Sequence, residues 1–182
     1  MYFGAKPMTT FASICMVVLR EFRVANGCSL ESLSDRLNIK SEDWSSMEMG
    51  ERDLQFEAFV RACHQLNTKP AQVIYLSERY AGILGSLGWD ILYNRIAKPG
   101  NDNLLHSAKG YWASAGGSGF FRDMPIWQEP ALDFDGTSLV APVFRYALYP
   151  LYKDSQDNLP PLHLNLSPLR LHDGQTDPDA NG

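Results

Sequence analysis

SLESLSDRLNIKSEDWSSMEMG, Ser29 to Gly50, reads as two short helices joined by a tight turn. The first spans about Leu30 to Leu37, the turn is Asn38-Ile39-Lys40, and the second spans about Glu42 to Met49. Leu30, Leu33, Leu37, Ile39, Trp44 and Met47 fall where two such helices bury side chains against each other. Glu42 and Asp43 occupy the first turn of the second helix, where a carboxylate favours the positive end of the helix dipole by roughly 0.3–1 kcal/mol each.

Upstream, Thr10 is a natural N-cap, and Phe11, Ile14, Cys15, Val18, Leu19 and Phe22 form one apolar helical face that Asn26-Gly27 ends. Ser29 and Ser41 cap the pair in the middle. Downstream, Asp53 caps a fourth helix bearing Phe56, Phe59, Val60, Cys63 and Leu66. Pro70, tolerated in a first helical turn, opens a fifth with Val73, Ile74, Leu76, Tyr80 and Leu84 inward. Residues 10–85 thus read as a mainly α domain of five helices, preceded by a flexible lead over residues 1–9 in which Met8 is an alternative start.

Beyond Leu84 the texture changes. Residues 86–152 read as a small α+β unit. It holds a helix over Trp89 to Ala97, a turn over Lys98 to Asn103, a flexible loop over Ser114 to Gly119, and antiparallel strands around the hairpin signal Asp135-Gly136, with an apolar run from Ser138 to Tyr152. Its aromatic residues serve either as a core or as a dimerising surface. Residues 153–182 are rich in Pro, Asp and Asn and read as largely disordered, with His163 to Leu171 alternating as an edge strand would.

The 182 residues carry a net charge of -5 with a hydrophobic fraction of 45% and a charged fraction of 20%, which describes a globular chain and excludes one coated with basic surface. Cys15, Cys28 and Cys63 form no CxxC pair and read as reduced thiols of a cytoplasmic protein. No apolar run is long enough for a membrane span, and no signal peptide is evident. An enzyme finds little support. None of the four histidines has zinc spacing, Ala115 to Gly119 lacks the Lys-Ser/Thr of a phosphate loop, and Asp133 to Gly136 lacks the further ligands of a calcium loop. No cofactor or metal is expected.

Leu19 to Arg23, Gly27, Ser29 to Leu37, Ile39, Trp44, Met47 to Arg52 and Phe56 to Leu66 succeed one another without a gap. In this order, Val18 to Ile74 resembles the lambda-repressor-like, Cro/C1-type (XRE family) helix-turn-helix domain. The resemblance implies a five-helix bundle whose third helix enters a DNA major groove. It also implies a partly buried ion pair between Arg23 and Glu48 that clamps this helix to the first. On that basis Lys40, Ser41, Glu42 and Ser46 would face bases with Ser45 beside them, and Arg36 and Arg52 would hold phosphates. The expected protein is a dimeric, sequence-specific transcriptional regulator, since one helix reads only a half-site.

Three positions depart from DNA-binding members. Leu30 stands where a glutamine often opens the second helix, and Glu42 and Asp43 stand where neutral or basic donors are usual. Phe11 to Tyr80 carries eight cations against ten carboxylates, whereas a DNA-binding face needs a local basic excess. The alternative is the same fold used as a protein-interaction module without DNA, with the acidic third helix or the C-terminal aromatic unit as the contact surface.

Overall fold

The computed structural model describes residues 5–94, 99–118, 124–131 and 139–158. The described part of the chain is mainly helical, with one two-stranded parallel sheet. Among the described residues the order is β1 (Met8–Thr10), α1 (Phe11–Ala25), α2 (Leu30–Leu37), α3 (Ser41–Glu48), α4 (Phe56–Gln65), α5 (Pro70–Ser86), β2 (Asp90–Leu92), α6 (Asn103–Ala113), α7 (Ala115–Ser118), α8 (Pro142–Leu148) and α9 (Pro150–Asp157).

One backbone device ends each of the first five helices. Gly27, Asn38, Gly50, Asn67 and Gly88 all adopt positive φ. After each, the next amide reaches back to the last turn, as in Cys28 N–H to the Arg23 carbonyl and Ile39 N–H to the Ser34 carbonyl, both at 3.0 Å. This is the Schellman arrangement, which satisfies carbonyls the helix end would leave bare. Asparagine serves at two of the five sites because its short polar side chain tolerates the left-handed region. Starts are more varied. Thr10 and Ser29 cap through their side chains. Lys40 and Gln55 are the N-caps of α3 and α4 and make no such bond, so neither Ser41 nor Asp53 plays the capping role expected of it.

The C-terminal half differs from expectation in four places. The sheet is parallel, not antiparallel: Met8 pairs with Asp90 and Thr10 with Leu92. Its two strands come from the lead expected to be flexible and from the segment expected to open a helix at Trp89. Helical periodicity at Trp89, Leu92 and Tyr93 was outweighed by Gly88, which ends α5 in the left-handed region, and by the open edge of β1. The run Ser138 to Tyr152 holds α8 and the start of α9, which continues to Asp157 within the tail expected to be disordered, and each helix is begun by a proline whose fixed φ suits a first turn. Ala115 to Ser118 forms a single helical turn instead of a loop. The hairpin signal Asp135-Gly136 and the alternating stretch His163 to Leu171 lie outside the described residues, although Ala131 and Leu139 form an isolated antiparallel bridge.

One hydrophobic cluster runs through both halves. Ile14, Val18, Leu33, Trp44 and Leu76 share it with Leu104, Ala108, Tyr111, Val143 and Phe144. Helix α1 packs on α5, α6 and α3, and α6 packs on α8. The Tyr80 ring stacks on Phe144 at 3.7 Å, and its hydroxyl accepts the Ala141 amide at 3.2 Å. Asp102 seats the start of α6 against β1. Its buried carboxylate accepts from the Thr9 hydroxyl at 2.9 Å and the Leu105 amide at 3.0 Å. No helix among the described residues is long and apolar enough to cross a membrane.

Candidate nucleic-acid interface

Helix α3 has one buried side and one open side. Trp44, Met47 and Glu48 are buried, Lys40 and Glu42 are exposed, and Ser41, Asp43, Ser45 and Ser46 are half-buried. The buried side is held by charge as well as by apolar contact. Arg23 Nε and Nη2 each donate to a Glu48 oxygen at 2.7 Å, the two-pronged geometry that suits guanidinium to carboxylate. Trp44 Nε1 donates to Glu48 at 2.8 Å from one helical turn earlier. Arg23 also donates to the Cys28 carbonyl at 3.0 Å, so one side chain fixes α3 and the entry to α2 together.

A second arginine extends the network to α6. Arg20 Nη1 lies 3.3 Å from Glu48, and its guanidinium sits 3.8 Å over the Trp112 ring. Burial pulls the Arg20 guanidinium below its ordinary range, while Glu48 opposes that shift and Arg23 adds to it. Trp112 Nε1 in turn donates to the buried Glu21 at 3.0 Å. Two arginines and two glutamates thus lie in the α1–α3–α6 junction with compensating charge. A carboxylate in such a place persists only when paired and hydrogen-bonded, and Glu48 is both.

The open side carries a different balance. Arg52, expected on phosphate, pairs with Asp43 at 2.5 Å, with both side chains about half exposed. Glu51 lies 3.6 Å from Lys109 of α6. Lys40, Ser41, Glu42, Ser45 and Ser46 follow one another along α3, and the Asp43 pair brings Arg52 beside them. Arg36 is not gathered with them. It lines a separate groove of about 400 Å³ with Ser29, Ser32, Gln65 and Asn67, at the ends of α1 and α4.

Three features of this region escaped the sequence reading. Trp44 reads as an apolar anchor, and only its position one turn before Glu48 signals the indole donor. Arg20 and Trp112 are too far apart in sequence for any spacing rule to join them. Asp102, read as part of a turn, stands directly before Asn103, the first residue of α6, as an N-cap should. Among the described residues no group of three His, Cys, Asp or Glu side chains is placed to hold a metal. The loop at Asp133 to Gly136 lies outside them.

No protein-family model, no curated protein and no solved structure matches the chain.

Proposed function

We propose that the chain is a Cro/C1-type, lambda-repressor-like regulator in which α1 to α5 form the five-helix bundle and α3 contacts a DNA major groove. The observation that carries this reading is the Glu48 clamp. It fixes α3 on α1 with Trp44 and Met47 inward and leaves the polar edge Lys40, Ser41, Glu42, Ser45 and Ser46 outward. A helix that reads base edges must hold its orientation without help from the DNA, and a buried two-pronged pair supplies that rigidity. The protein works in the cytoplasm as a homodimer, so that two such helices address two half-sites.

A second reading has its own observation. The Arg52–Asp43 pair neutralises one of the three cations expected at the interface, and Glu42 stays exposed beside it. On this reading α3 presents an acidic edge to a protein partner. Mobility shift of genomic fragments against salt separates the two. DNA binding gives a complex at low salt whose log affinity falls linearly with log salt, by about 0.9 for each phosphate contacted. Absence of any complex at low salt sinks the DNA reading and leaves the protein partner.

A further inference from the structure

A cavity of about 260 Å³ lies where α1, the loop after α3, the end of β2 and the start of α6 meet. Its floor is apolar and buried, formed by Met16, Met47 and Leu105. The floor is also firm, because Leu105 packs onto Gly50 so closely that an added Cβ would collide with it. We propose that this cavity binds a small uncharged molecule with an apolar, ring-sized body and a single hydrogen-bond acceptor, the chemistry of an aryl ketone.

The charges around the cavity are already answered within the chain. At the mouth Arg52 pairs with Asp43, and Asp53 is likewise engaged. In the wall, buried Asp102 accepts from the Thr9 hydroxyl and from the Leu105 and Thr10 amides. As the N-cap of α6 it also faces the positive end of that helix. A charged ligand would break an existing pair or lie unpaired against Met16, Met47 and Leu105, where an unpaired charge is costly. One polar valence is left over. Thr10 and Ser13 line the cavity together, their hydroxyls share a hydrogen bond of 2.7 Å, and Thr10 Oγ1 also accepts the Ser13 amide. Two hydroxyls with one bond between them spend one of their two hydrogens, so the other finds no acceptor among the described residues. That hydrogen selects an acceptor on the ligand. At roughly 30 Å³ per water-sized unit the volume admits about nine non-hydrogen atoms. The thioethers of Met16 and Met47 favour an aromatic ring as the apolar body.

Binding here stands independently of any role of α3 on DNA. It does reach α3, because Met47 of that helix and Gly50 just beyond it line the same cavity.

Calorimetry on the full chain without DNA tests the proposal, using acetophenone as the probe. Benzylamine and benzoate serve as a cation and an anion of similar size, and ethylbenzene as the counterpart without an acceptor. The expected result is saturable binding of acetophenone, about tenfold or more tighter than either charged counterpart. Thr10→Val combined with Ser13→Ala removes both hydroxyls and should weaken acetophenone about two- to tenfold, the worth of one hydrogen bond, while leaving ethylbenzene unchanged. Ala12→Leu, which fills the cavity from its exposed edge, should abolish binding of both. Circular dichroism of each variant confirms that it remains folded. Should the double variant fail to fold, the charged counterparts on the parent chain and Ala12→Leu decide. No heat from acetophenone at millimolar concentration overturns the proposal. So does a charged counterpart that binds as well, affinity unchanged in Ala12→Leu, or an equal loss of acetophenone and ethylbenzene in the double variant.

Discussion

Asp43 and Glu48 both belong to α3 and both meet arginines, yet the two encounters differ in every physical respect. Glu48 is 1% exposed, takes two bonds from Arg23 and one from Trp44, and lies beside a second arginine. Asp43 is 40% exposed and meets one arginine, itself 55% exposed. The first pair is screened by almost no water, and losing one partner strands a buried charge. The second sits in solvent, where attraction, side-chain entropy and screening nearly cancel. One chemical motif therefore holds the helix in place at its C-terminal end and sets surface charge at its N-terminal end.

Substitutions can break this contrast. Glu48→Ala leaves Arg23 and Arg20 without their carboxylate, and the expected loss is about 3–5 kcal/mol in urea unfolding. A variant as stable as the parent would remove the clamp from the account. Gly50→Ala comes next, at about 1–3 kcal/mol, because it combines a positive φ with a collision on Leu105. Gly27→Ala shares the positive φ but meets nothing within 4 Å, so it should cost only about 1 kcal/mol. The excess at Gly50 measures how firmly α6 backs the end of α3, and equal losses would show that it does not.

Asp43→Asn should shift stability by less than about 1 kcal/mol. On the DNA reading it frees Arg52 for phosphate and steepens the salt dependence of binding by about one contact. An unchanged slope would place Arg52 off the interface. The smallest effect at neutral pH belongs to Cys63 of α4. Burial and the neighbouring Cys15 push its thiol up to about 12 from an ordinary 9.0. The fold favours the protonated form, so this contribution is complete below about pH 9 and is lost as pH rises through about 12. Thiol labelling at pH 8 should find Cys63 silent until denaturant is added.

The stretches legible in the sequence are those whose determinants are local. Ser29 with its α2, the Asn38 turn and Gly50 after α3 are each specified within a few residues, and the structure places α2, the turn and α3 accordingly. The failures share another cause. Asp90 to Leu92 becomes a strand because Met8 to Thr10 offers it an edge, a partner some eighty residues away that no window contains. Val143, Phe144 and Tyr146 look as fit for a strand as for a helix, and the proline before them was the neglected signal. At the candidate site, residue identities were legible and their pairings were not. Arg52 reads as a phosphate holder until its distance to Asp43 is known, and Arg36 joins the others in sequence but lines another groove.

The β1–β2 pairing also bears on the order in which the chain settles. The contacts among α1 to α5 all lie within residues 11–86, whereas Thr9 reaches Asp102 across a separation of 93. Such long closures come late, because their entropy is lost before any contact offsets it. During synthesis Thr9 emerges long before either Asp90 or Asp102 exists, and α1 can form without its strand. Pulse-labelled hydrogen exchange should find the α1 amides protected before those of β1. Of the two paired strands, the one made earlier is among the last segments to find its place, and its docking ties the start of α1 to β2 and to Asp102 before α6.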